Sequence, residues 1–190
     1  MTDDGVAAGL TRGLARELEG WVAPEPRLEG LRRDYLDFID LHGAAAARRD
    51  LGPEHLTASC FVFSADLAET LLCFHGKGRF WVQTGGHVEP GDPSASAAAL
   101  REAREESGLT GLSTVPGVLD LDRHDLGARF GSCRTHWDVG FAARASRAER
   151  PRVSDESEDV AWFRVDALPE PLAGGVARRA AVLLGQLRST

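Results

Sequence analysis

Three glutamates, Glu102, Glu105 and Glu106, share the run Arg101-Glu102-Ala103-Arg104-Glu105-Glu106-Ser107-Gly108-Leu109, downstream of the glycine pair Gly85-Gly86. At about 100° per residue, the three carboxylates fall within an arc of roughly 100° on a helix. Like charges three and four residues apart on a helix repel by about a few tenths of a kcal/mol per pair, so something positive belongs among them. Arg101 and Arg104 can neutralise part of this charge, but neither serves all three acids. Clustered carboxylate oxygens are the hard ligands that Mg²⁺ or Mn²⁺ prefers. Gly85, Gly86 and Gly91 permit a close backbone approach that side chains would forbid. A glutamate-rich helix alone is usually a solvated face and a glycine pair alone a turn, but the two at this spacing point to a metal-dependent phosphate site.

The helix that carries the acids is expected from about Pro93 to about Ser107. Asp92-Pro93 makes a good N-cap and first-turn pair, the alanine-rich interior favours helix, and Gly108 is a natural stop. In this register Leu100, Ala103, Ser96 and Ser107 point away from the acids.

The segment Gly86–Leu109 resembles the Nudix box, G-x5-E-x7-R-E-U-x-E-E-x-G-U with U an aliphatic residue. The matching positions are Gly86, Asp92 and then Arg101 to Leu109. Asp92 stands where the family usually has glutamate, eight residues rather than seven separate it from Arg101, and Ala103 is short for an aliphatic position. The departures bear on the role of Asp92, since the REAREESGL half that holds the family's metal-binding acids is intact.

The resemblance implies hydrolysis of a phosphoanhydride bond in a nucleoside diphosphate-type or related small diphosphate compound, with Mg²⁺ or Mn²⁺ as cofactor. Glu102, Glu105 and Glu106 would bind the metal, with the backbone of Gly85 or Gly86 completing coordination. Glu105, Glu102 and Arg101 form the catalytic set, with Arg101 holding the carboxylates. Gly86, His87 and Glu158 are the expected substrate contacts. Glu156 and Glu158 precede the strand carrying Trp162 and could supply the further acid that family members often take from outside the box; Asp155 and Asp159 compete for that role. His87 could bond a phosphate or act as a base, and His124, His136 and Asp138 flank a loop and strand where substrate contacts are conceivable. Trp81 and Phe80 could stack on a base, though in a strand one of them is more often core. Two other readings stand beside hydrolysis. One is an idle Nudix-fold module that senses a nucleotide or sugar nucleotide. The other is isomerisation of an allylic diphosphate, which needs an exposed Cys60 or Cys73 facing a glutamate.

Composition agrees with an enzyme-sized globular chain: 190 residues, 43% hydrophobic and 27% charged. The net charge of −7 argues against a nucleic-acid polymer as partner, because such affinity is built from many Lys and Arg contacts. No apolar run reaches membrane-spanning length and the start MTDDGVAAGL is acidic, so a cytoplasmic protein is expected. Cys60, Cys73 and Cys133 form no metal spacing and read as reduced thiols.

The elements that must position the site follow from periodicity. Residues 1–50 read as a helical extension: Val6, Leu10, Leu14, Leu18 and Trp21 recur at helical spacing, as do Leu28, Leu31, Tyr35 and Phe38 after Pro24 and Pro26. Their apolar stripes need cover, either the following sheet or a second copy of the chain, which makes a homodimer an expectation. Residues 51–190 read as the Nudix-like hydrolase domain. The strand-rich runs are LTASCFVFS, ETLLCFH, RFWVQTG, PGVLDLDRH, THWDVGFAARAS and DVAWFRV, and a closing helix is expected over Leu168–Leu187. Strands before and after one central helix imply an α/β/α sandwich with a mixed sheet, which is also what the Nudix resemblance implies.

Overall fold

The computed structural model describes residues 3–127, 131–154 and 157–189. Two helices lead, α1 (Asp3–Gly20) and α2 (Pro26–His42), followed by a short 3-10 turn at Gly43–Ala47. Then come β1 (Glu54–Ser64), β2 (Glu69–His75), β3 (Phe80–Val82), β4 (Thr84–His87), α3 (Ala95–Ser107), β5 (Ser113–Asp125), β6 (Thr135–Ala145), β7 (Ser157–Arg164) and α4 (Val176–Arg188). Among the described residues the strands form a seven-stranded mixed sheet in the order β3-β2-β1-β6-β5, with β4 also paired to β1 and β7 to β2. The chain is therefore of the α/β class with N-terminal helices, as expected. β1 is buried along nearly its whole length, as a strand with neighbours on both sides requires.

The chain divides into two compact units. One holds residues up to Ala58, Gly86–Ala98 and Gly117–Gly140; the other holds Ser59–Gly85, Ala99–Pro116 and Phe141 onward. In the first unit, α1 buries Leu10, Leu14 and Leu18, and α2 buries Leu28, Tyr35, Phe38 and Ile39. Fully burying a leucine contributes about 1.5–3 kcal/mol, so these stripes are what hold the helices down. Arg32 donates to the carbonyl of Leu18 at 3.2 Å and satisfies an orphan group at the end of α1. The Tyr35 hydroxyl lies 2.9 Å from the Asp122 carbonyl and 2.8 Å from that of Asp138. Phe38 stacks on Trp137 with ring centroids 4.4 Å apart, and Tyr35 meets the same indole edge-on at 5.1 Å. The stripe of α2 is thus covered by strand residues of its own chain. Val6, Trp21 and Leu31, expected on these stripes, are only half-buried.

The second unit buries Phe61, Phe63, Leu71 and Leu72, and its helix α4 buries Ala180, Leu183, Leu184 and Leu187. Arg179, 2% exposed, lies 5.2 Å over the Phe61 ring in a cation–π contact.

Three boundaries differ from the sequence expectation, each for a physical reason. The run RFWVQTG is two strands, because the chain changes partner at Gln83, β3 pairing with β2 and β4 with β1; the Gln83 amide donates to the Ser59 hydroxyl at 3.0 Å. The closing helix begins at Val176 rather than Leu168. Pro169 and Pro171 interrupt helical bonding there, and the segment instead runs beside β3, with Trp81 N–H on the Pro171 carbonyl at 2.8 Å and Ala173 N–H on the Trp81 carbonyl at 2.9 Å. Helix α3 begins at Ala95, and Ser94 accepts the Ala97 N–H at 3.1 Å as its cap. At the other end Gly108, φ +66, stops α3 as expected, its N–H on the Arg104 carbonyl at 2.8 Å. The buried face of α3 is made of Ala95, Ala98, Ala99, Ala103 and Ser107, while Leu100 is half-buried and Ser96 exposed.

Candidate active site and a second polar cluster

The acidic site is built within the second unit. Strand residues pin the backbone that leads into it: the Thr84 hydroxyl donates to the Cys60 carbonyl at 2.7 Å, next to the Gln83 anchor. Gly85 follows with φ 153, a conformation that favours glycine, and its N–H donates to Glu106 Oε2 at 2.8 Å. The glycine pair and the glutamate helix are therefore joined by a direct bond. On α3, one guanidinium nitrogen of Arg101 lies 3.0 Å from Glu102 Oε1 and 2.9 Å from Glu105 Oε2. Arg101 spans two of the three acids and the Gly85 amide holds the third. The Glu102 side chain is 12% exposed and that of Glu105 58%, so the pair runs from the protein interior out to solvent.

Five of the expected residues, Gly85, Arg101, Glu102, Glu105 and Glu106, are thus gathered in one place. The donor set is carboxylate oxygen supported by an arginine and a backbone N–H, and that chemistry fits a hard divalent ion such as Mg²⁺ or Mn²⁺.

Glu158, expected at the substrate, is exposed on β7 and forms an ion pair with Arg79. Asp159, next to it, accepts the Val160 N–H at 2.8 Å and acts electrostatically on the Cys73 thiol, as Glu106 does. Burial is the main cause that raises the Cys73 thiol, and burial pushes Cys60 up to about 12. Both thiols are buried and protonated, so neither is the exposed cysteine that the isomerase reading requires. Asp155 and Glu156 lie outside the described residues.

In the first unit, Asp92 is 5% exposed. It accepts the Glu89 N–H on Oδ2 at 2.8 Å, and its own N–H returns to the Glu89 carbonyl at 2.9 Å. It closes the loop ahead of α3, while Ser94 supplies the cap that had been expected of Asp92. A cavity of about 330 Å³ opens beside this loop, walled by His87, Glu89 and Asp92 and by Val6, Leu10 and Arg49. Gly86 and His87 continue β4 from Gly85. Burial, then the neighbouring His55, lowers His87 to about 4, so it is a neutral imidazole at physiological pH.

The same unit contains a grouping that spacing did not suggest. One ligand atom each from His55, His87, Cys133 and His136 lies within 4.8 Å of every other. His55 sits at the start of β1, His87 at the end of β4, Cys133 just ahead of β6 and His136 at its start. In sequence the only local hint is Cys133-x-x-His136, since His55 and His87 reach the cluster through strand pairing.

Comparisons with known proteins bear on the family and the fold. The NUDIX domain family model matches residues 53–184. No match was found among curated proteins. Among solved structures, a Caenorhabditis elegans Ap4A hydrolase in a binary complex is 18% identical with a TM-score of 0.60, over 71% of this chain and 98% of that one. A NUDIX family hydrolase from Clostridium perfringens is 22% identical with a TM-score of 0.56, over 70% and 97%. The NUDIX domain of Shewanella oneidensis NrtR, complexed with ADP ribose, is 19% identical with a TM-score of 0.56, over 75% and 93%. At these identities the structures speak for the fold, while the family model covers most of the chain. The chain belongs to the Nudix family, and its activity class is that of a Nudix-type pyrophosphohydrolase.

Proposed function

We propose that this protein hydrolyses a phosphoanhydride bond in a small nucleoside diphosphate-type compound with the help of Mg²⁺ or Mn²⁺. The observation that carries the reading is the joined cluster of Glu102, Glu105 and Glu106 around Arg101 and the Gly85 N–H. The relatives add a direction for the substrate, since one is named for Ap4A and another is complexed with ADP ribose; both contain an adenylate joined through phosphoanhydride bonds. We read residues 51–190 as the hydrolase domain and residues 1–50 as its helical extension, in keeping with the span of the family match. Three free cysteines favour a reducing, cytoplasmic setting.

In the proposed mechanism Glu102, Glu105 and Glu106 hold the divalent ion, with the Gly85 backbone as a further contact. When bound, that ion supplies neutralisation of phosphate oxygens and acidification of water. Arg101 fixes the Glu102 and Glu105 carboxylates through charge-assisted bonds. Glu105, solvent-facing, takes the proton from a water that attacks phosphorus in line, as the bridging P–O bond breaks and the leaving phosphate departs. Glu102 orients that water. Gly86, having no side chain, admits phosphate close to the backbone, and neutral His87 contributes a hydrogen bond rather than a charge. Glu158, held by Arg79, contacts the distal part of the substrate.

Purified protein assayed against nucleoside triphosphates, dinucleoside polyphosphates, ADP-ribose and nucleotide sugars, with products separated by anion exchange, tests this reading. Turnover of at least one adenylate-linked compound, abolished by chelation and cut by orders of magnitude in Glu105→Gln, is expected. Tight ligand binding with no product after hours with Mg²⁺ would replace hydrolysis with a sensor role.

A further inference from the structure

We propose that His55, His87, Cys133 and His136 form a closed, tetrahedral site for a borderline-soft transition ion, zinc foremost, separate from the carboxylate site. This goes beyond the proposed hydrolysis and does not depend on it.

The donor set is the first argument. Three imidazoles and one thiolate are the ligands that zinc prefers, whereas Mg²⁺ and Mn²⁺ favour oxygen. Geometry is the second. With Zn–N about 2.0–2.1 Å and Zn–S about 2.3 Å, tetrahedral ligand atoms lie roughly 3.3–3.8 Å apart. Here Cys133 Sγ is 3.9 Å from His87 Nε2, and no pair in the set exceeds 4.8 Å. A contraction of at most about 1.5 Å between any two ligand atoms would close a coordination shell with bonds of those lengths.

The third argument is polar bookkeeping. His55 is 1% exposed, and neither of its ring nitrogens meets hydrogen-bond geometry with any partner; His136 Nε2 is likewise buried without one. A buried polar atom left unbonded costs about 1–3 kcal/mol, and here such atoms face one another instead of an apolar wall. The ring centroids of His55, His87 and His136 are mutually 5.1 to 5.2 Å apart, and all three imidazoles are depressed below the ordinary histidine range, chiefly by burial. A backbone contact from Gly52, outside regular hydrogen-bond geometry, opposes this at His55, and the Asp138 charge does so at His136. Neutral imidazoles are the form that binds metal. Polar groups lie beside the cluster: His124 packs 5.5 Å from His136 and meets Asp122 Oδ2 at 3.1 Å, and Asp138 accepts from the Thr57 hydroxyl at 2.8 Å.

Four protein ligands leave no open position, so the role is structural: the ion ties the starts of β1 and β6 to the end of β4. His87 would bind through one nitrogen and remain a wall of the adjoining cavity.

The test uses full-length, chelator-stripped protein in excess Mg²⁺, which keeps the carboxylate site occupied. Titration with Co²⁺ should give one equivalent of binding, intense visible bands of a tetrahedral ion and a near-ultraviolet thiolate-to-cobalt transition. The thiolate band should vanish in Cys133→Ser and stoichiometric binding in His136→Ala. Zinc at about a thousandfold above its Kd should raise the wild-type Tm by roughly 8 °C or more. Weak octahedral spectra alone, or a thiolate band that survives Cys133→Ser, would overturn the proposal. Because the wild-type spectrum is decisive alone, a histidine variant that fails to fold does not rescue it.

Discussion

Glu106 offers a perturbation that separates holding the fold from performing chemistry. Its Oε2 accepts the Gly85 N–H at 2.8 Å. Glu106→Gln keeps an acceptor for that amide but removes the charge, whereas Glu106→Ala removes both. A hydrogen bond to a charged group contributes about 1.5–3 kcal/mol against about 0.5–1.5 for a neutral one, so glutamine should cost about 1 kcal/mol. Relief of repulsion with Glu102, one turn away, returns about 0.2–0.5 kcal/mol. The net loss of about 0.5–1 kcal/mol corresponds to a Tm decrease of roughly 1–4 °C for a chain of this size. Alanine leaves the half-buried Gly85 N–H without this acceptor and should cost about 1–3 kcal/mol, roughly 2–12 °C. If Glu106 binds the metal, both variants should lose about 100-fold or more in turnover, equivalent to about 2.7 kcal/mol of transition-state stabilisation. Scanning calorimetry and steady-state hydrolysis on the same preparations provide the two readouts. Glutamine turnover within about tenfold of wild type, set beside an inactive alanine variant, would show that Glu106 is a backbone anchor and not a metal ligand.

Removing the Tyr35 hydroxyl with Tyr35→Phe takes away its bond to the Asp122 or Asp138 carbonyl and should destabilise the protein by about 1–2 kcal/mol in urea unfolding, with turnover unchanged. Unchanged stability would mean that α2 is held by its apolar stripe alone. The Glu29 carboxyl is held down to about 2, first by its bond to Arg32 and also by Arg33. Its folded value lies below the unfolded one of 4.5, so its stabilisation is fully present above pH 4.5 and is lost as pH falls through about 2. Glu29→Gln should flatten the stability profile in that acid window and leave it parallel to wild type at higher pH; an unchanged acid limb would remove Glu29 from the account.

Local sequence was enough to locate the chemistry of the carboxylate site. Helical spacing placed Glu102, Glu105 and Glu106 together, Gly108 ended their helix, and the glycine pair marked the strand that meets it, because each of these depends on contacts a few residues apart. Periodicity likewise revealed α1 and α2 and most strands. Ser94 replaced Asp92 as the cap because the two compete for orphan N–H groups within one short loop, and Asp92 is drawn off by Glu89. The closing helix began late because Trp81, distant in sequence, offered Pro171 and Ala173 hydrogen bonds that a helix through two prolines could not. The bond from the Gly85 N–H to Glu106, the covering of α2 by Trp137, and above all the gathering of His55, His87, Cys133 and His136 were decided only by tertiary structure. Such contacts depend on which strands pair and in what register, and strand pairing is a long-range choice that no window of neighbouring residues contains.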